Sequence, residues 1–173
     1  FLIFRHAIER NNQIRRINPD MPDAGSGRWR GEALTDNYVK SRMQQDYDMT
    51  WDEASGEWVG GNVLAEKMKR LAKRIDDIQQ TSLAISYKGG LLTEKDFEFL
   101  SNFYKYYVPL QGEATPADAA NMLEGTLSAR TAGSGGTLGV KGKETKRAMG
   151  STREVFSPIG SISNYRGTQS ARA

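Results

Sequence analysis

The sequence predicts a mainly α fold, a small irregular bundle of about five helices joined by long Gly/Pro-rich loops and followed by a basic, flexible C-terminal arm. Apolar residues recur at helical spacing in several windows, most regularly Leu64, Met68, Leu71, Ile75 and Ile78, which step by four and three. Glycine and proline gather between those windows. Only 38% of the 173 residues are apolar, 26% are charged and the mean hydropathy is −0.62, so surface is plentiful and the core is thin.

In chain order, Leu2, Ile3, Ala7, Ile8 and Ile14 share one helical face, which predicts a helix over 2–16 that stops at Asn18-Pro19. Pro22, Gly25, Gly27 and Gly31 then mark a loop of about a dozen residues. Leu34, Tyr38, Val39 and Met43 predict a helix over 32–46. Trp51 and Trp58 flank an Ala-Ser-Gly turn that suits a short hairpin or an irregular loop, and the loop is the favoured reading. The long amphipathic helix after Gly61 ends by Gly89-Gly90, where glycine readily takes the left-handed cap geometry. Thr93 caps the next helix through the Asp96 amide; Phe97, Leu100, Phe103, Tyr104 and Tyr107 give it an aromatic face, and Pro109 closes it. Thr115 caps a further short helix that starts at Pro116 and carries Ala119, Met122, Leu123 and Leu127.

These elements place a helical domain at 1–128, a Gly-rich basic linker or arm at 129–150, and a tail at 151–173. The tail reads either as the start of an element cut off from its continuation or as a peptide lying on the body. Charge follows the same division: residues 1–125 carry 16 Lys and Arg against 19 Asp and Glu, whereas residues 126–173 carry 8 against 2. The opening residue is Phe1, and the chain runs straight into an amphipathic pattern, as an internal segment of a larger protein would. No run approaches the roughly 18 consecutive apolar residues of a membrane span.

Chemistry is constrained by two residue counts. Zero cysteines exclude disulfides, Cys-ligated zinc, iron-sulfur clusters and thiol catalysis, and a single histidine, His6, excludes any multi-histidine metal site within the chain. No cofactor is implied. His6 and Glu9 are three apart, so a helix puts them on one face, where a surface hydrogen bond or helix contact outweighs catalysis. Adjacent carboxylates such as Asp52-Glu53 and Asp76-Asp77 splay apart, so no acid or base is assigned. The aromatic run ending at Tyr107 suits a sugar or peptide surface, but the helical stripe of Phe97, Leu100, Phe103 and Tyr107 favours core.

The glycine-rich arm fails as a phosphate-binding loop: five residues separate Gly136 from Gly142, and Lys143 is followed by Glu144 where a magnesium-holding Ser or Thr belongs. Its cations, Arg130, Lys141, Lys143, Lys146, Arg147 and Arg153, suit a nucleic-acid backbone gripped without sequence preference through counterion release. The plainer reading is a basic linker that stays solvated.

Four phrases in order carry a resemblance: HAIERN at 6–11, INPDMPDAGSG at 17–27, YKYYVPL at 104–110 and GVKGKETKRAMG at 139–150. Together they resemble an internal region of the large polyvalent proteins of tailed bacteriophages and prophages, many of which are packaged in the virion and ejected with DNA. The resemblance spans most of 1–150; the family continues there into a long helix, whereas 151–173 carry Pro158, Gly160 and Gly167. It implies a non-catalytic structural or interaction module of a giant internal virion protein, located in the virion interior and then in the host cell. Implied partners are other segments of the parent chain, other virion proteins and DNA through the basic arm. The alternative is a fragment of a cell-wall lytic or nucleic-acid-processing enzyme whose catalytic residues lie elsewhere in the parent chain.

Overall fold

Three of the four longer helices among the described residues start at side-chain caps. Thr35 accepts a hydrogen bond from the Tyr38 amide at 3.2 Å, Asn62 from Ala65 at 2.9 Å and Thr93 from Asp96 at 3.2 Å. The computed structural model describes residues 1–21, 25–108, 110, 151–155, 157–160 and 162. They belong to one unit, drawn from Phe1–Gly112 and Met149–Ala173; a second unit, Glu113–Ala148, lies outside the described residues. The fold is mainly α. Its helices are α1 (Leu2–Ile17), α2 (Asp36–Tyr47), α3 (Val63–Lys88) and α4 (Glu94–Phe103). Among the described residues five short strands accompany them: β1 (Ser26–Trp29), β2 (Glu32–Ala33), β3 (Met49–Asp52), β4 (Glu57–Gly60) and β5 (Ser151–Glu154).

α1 is the centre of the core. Ile3, Phe4, Ala7 and Ile8 pack in one cluster with Leu34, Val39, Met43, Met49, Trp58, Ala65, Val108, Leu110 and Val155. Each of those side chains contributes about 1.5–3 kcal/mol on full burial if it is Leu, Ile, Val, Met or Phe. Arg15 and Arg16 sit in the last turn of α1, where cations complement the helix dipole, and the helix ends at Ile17, two residues before Pro19.

Two segments expected as loops are hairpins. Residues 26–33 form β1 and β2, joined by Arg30 and Gly31 with φ of 54° and 82°. That is the two-residue turn whose twist matches paired strands, built with an arginine at a position usually held by Asn or Gly. Because Glu32 and Ala33 belong to β2, α2 starts at Asp36 and not at residue 32. Residues 49–60 form β3 and β4, with Trp51 opposite Trp58 and their rings 5.2 Å apart. The Asp52 carboxylate accepts bonds from the Ser55 hydroxyl at 2.6 Å and the Ala54 amide at 3.1 Å. These bonds, the Ser55 hydroxyl foremost, hold Asp52 below its ordinary carboxylate range. The loop reading fails because a charged turn interrupts the alternation, while the cross-strand tryptophan pair supplies the stabilisation.

β5 pairs in parallel with β1, giving the strand order β2-β1-β5. The Ser151 amide donates to the Gly25 carbonyl and the Val155 amide to Arg28, both at 2.7 Å. Gly27 permits this approach: its φ is 97°, and a Cβ there would lie 2.7 Å from the Arg153 carbonyl oxygen. The residues that begin the tail therefore complete a sheet of the body, and residues 158–160 and 162 are helical. The short helix expected from Pro116 and the arm 129–150 lie outside the described residues.

Candidate interaction surface

Of the six cations assigned to nucleic acid, Arg153 is exposed on β5, and Arg130, Lys141, Lys143, Lys146 and Arg147 lie outside the described residues. Among the described residues, no three His, Asp or Glu side chains converge as metal ligands, and no helix is long and apolar enough to cross a membrane.

The buried polar groups of α1 hold the body together. Asn11 donates to the Leu34 carbonyl at 2.9 Å and to Asp36 Oδ1 at 2.8 Å, and accepts from the Ser26 amide at 3.0 Å and the Ser26 hydroxyl at 2.5 Å. Arg5 makes a two-point pair with Asp76 of α3 at 2.6 and 3.0 Å, and its guanidinium lies 5.1 Å from the Tyr106 ring centroid. Glu9 accepts the Lys105 and Tyr106 amides at 3.1 and 3.0 Å, which fixes the chain just after α4.

Of the two roles expected of His6, a surface hydrogen bond or a helix contact, burial excludes the first. The ring is fully buried, with the edge-on rings of Tyr104 and Tyr107 at centroid distances of 4.8 and 5.7 Å, and Glu9 at 3.8 Å from Nδ1. Neither ring nitrogen has a hydrogen-bond partner among the described residues. Burial holds its pKa below the ordinary 6.5, with Arg10 and Arg5 lowering it further against the opposing pull of Glu9.

Beside these residues, an open groove of about 320 Å³ runs between α1 and the β3–β4 hairpin, lined by Glu9, Gln13, Arg16, Trp51 and Tyr104 among others. Glu9 is already engaged by two backbone amides there, and the groove brings no second carboxylate to face it.

The surface with the clearest unmet packing is on α3. Its side toward the body is small: Ala65 and Ala72 are fully buried. The bulky stripe is only partly covered: Leu64 is 50% and Leu71 52% exposed, with Val63 75% exposed near them, while Met68, Ile75 and Ile78 are half-buried. α4 covers the C-terminal half of α3, where Tyr87 stacks on Phe97 at 4.9 Å and Gln80 donates to the Ser101 carbonyl. Nothing among the described residues continues that cover toward Val63. At 1.5 Å per residue, α3 runs about 39 Å against about 15 Å for α4, and the exposed Leu64 and Leu71 of its N-terminal half leave an open lane.

Cations edge this lane. Lys67, Arg70 and Arg74 are exposed, three and four residues apart, on the side of the stripe away from Ala65 and Ala72. The other cations of that half are engaged: Lys69 with Glu66 at 2.7 Å and Lys73 with Asp77 at 3.7 Å. Lys67, Arg70 and Arg74 form no ion pair among the described residues. The periodicity of the stripe was visible in the sequence; which flank meets the body was not, because two alanines allow closer approach than the leucines do. Comparison of the chain with family models, curated proteins and solved structures finds no match.

Proposed function

We propose that this chain is a non-catalytic interaction module of a large phage internal virion protein, packaged with the genome and ejected with it into the host. The observation that carries the interaction reading is the outward-facing stripe of Leu64 and Leu71 on a helix that overhangs its neighbour. Large aliphatic side chains in a narrow row at helical spacing make a seat for another polypeptide segment. The phage setting rests on the four phrases at 6–11, 17–27, 104–110 and 139–150. It makes the first partners the neighbouring segments of the parent chain and other virion proteins.

The test is to express the segments flanking this one in its reading frame and titrate them into the isotopically labelled chain. Amide shifts centred on residues 63–75, abolished by Leu71→Gln, are the expected result. Shifts confined to the Glu9 groove, or none, count against the reading.

Association with DNA is the second part of the proposal, through Lys141, Lys143, Lys146 and Arg147 with Arg130 and Arg153. Binding should weaken steeply with salt, and neutralising the first four should flatten the log–log slope by about 3–4. No measurable binding at low salt removes this part. For the enzyme-fragment alternative, the carboxylate best placed beside a groove is Glu9, and its bonds to the Lys105 and Tyr106 amides argue for a positioning role within the fold.

A further inference from the structure

We infer that the open lane on the N-terminal half of α3 takes an acidic amphipathic helix of a partner polypeptide. This rests on the interaction reading above and adds the chemistry of the partner. Leu64, Met68, Leu71, Ile75 and Ile78 repeat every 3.5 residues on average, the period at which one helix seats along another at a shallow angle. The stretch from Val63 to Ile75, on which Leu64 and Leu71 are exposed and Met68 and Ile75 half-buried, has room for three to four turns of a second helix, about 12–14 residues.

Charge selects among occupants. Lys67 neighbours both Leu64 and Leu71, three and four residues away, and Arg70 and Arg74 extend the row. A helix in the lane would set its flank against these cations. Glu or Asp on that flank is complementary, and Lys or Arg is repelled. A second copy of α3 laid antiparallel in the lane sets Lys67 and Arg74 against their own counterparts. A parallel copy would need its e-type flank, but that flank is Ala65 and Ala72, which the body buries. An anionic bilayer would satisfy the cations, yet the well-exposed apolar surface here is Val63, Leu64 and Leu71, narrower than the broad apolar face an interfacial helix immerses.

The test uses two designed 14-residue helices with leucines at i, i+4, i+7 and i+11, one with Glu on the flanking positions and one with Lys. Binding to the full chain is measured by fluorescence anisotropy at 50 mM salt. The Glu helix should bind at least about tenfold tighter than the Lys helix. Leu71→Asp should abolish binding while circular dichroism stays unchanged, and the double variant Lys67→Glu, Arg74→Glu should reverse the preference. Equal binding of both helices overturns the acidic-partner inference and leaves the interaction surface standing. Self-association lost in Leu71→Asp, or binding only to phosphatidylglycerol vesicles, overturns it in favour of a second copy or a membrane. No binding to either helix, together with no shifts from the flanking segments, overturns the inference and the reading beneath it.

Discussion

Asn11 uses all four of its hydrogen-bonding positions inside the protein, joining α1 to β1 and to the start of α2. Asn11→Ala strips partners from the buried Ser26 amide and the Leu34 carbonyl, and should lower unfolding stability by about 2–3 kcal/mol in a urea titration. Asn11→Asp should do worse, because a carboxylate cannot donate to Leu34 and repels Asp36. His6 makes the contrary arrangement, a titratable ring buried without hydrogen bonds. Its folded pKa lies below 6.5, so above that value the ring is neutral in both states and stability is full. As pH falls through 6.5 the unfolded chain takes up a proton that the folded chain resists, and stability declines by up to about 1.4 kcal/mol per unit. The urea midpoint should therefore drop between pH 7 and pH 5, and His6→Leu should flatten that drop. An unchanged slope in the variant would assign the pH dependence to other groups. From the sequence, the helical spacing of His6 and Glu9 was legible, but their burial was not, since it depends on Tyr104 and Tyr107 arriving from about a hundred residues away.

At the scale of elements, periodicity located helices well and orientation poorly. α1, α3 and α4 begin where the caps and apolar repeats put them, because those signals are local. The aromatic face assigned to core around α4 is only partly so: Phe97, Leu100, Phe103 and Tyr104 are half-buried, Tyr107 is exposed, no residue of α4 is fully buried, and the helix ends at Phe103 with Tyr104 extended. On α3 the same signal pointed the leucine stripe inward, and the alanines won that place. Two substitutions separate the readings. Ala72→Leu should overpack the contact with the body and cost about 1–3 kcal/mol, whereas Leu71→Gln should change stability by less than about 0.5 kcal/mol. Thermal melts of both variants check the pair, and a large loss for Leu71→Gln would return the stripe to the core. The first hairpin was not expected and the second was passed over in favour of a loop, for a related reason. Each depends on cross-strand partners and turn bonds, Trp51 with Trp58 and Glu154 with the Arg30 and Gly31 amides, more than on alternation along one strand.

On the scale of the whole molecule, the least local feature was the least legible. Nothing in the tail announces that residues 151–154 belong beside residues 26–29, since four residues carry little pattern and the pairing spans more than a hundred positions. Val108 and Leu110 are buried in the body just before the stretch 111–150 in sequence, and β5 with Val155 just after it, so β5 is joined to the rest of the body by the chain itself. That covalent connection makes the pairing of β5 with β1 intramolecular, so it does not depend on how dilute the protein is. Severing it would hand that strand over to mass action. With a protease site inserted between Gly135 and Gly136, the cut halves should co-elute at hundreds of micromolar and part on dilution to nanomolar, while the uncut chain ignores dilution. Halves that never travel together would mean that β5 does not hold its place.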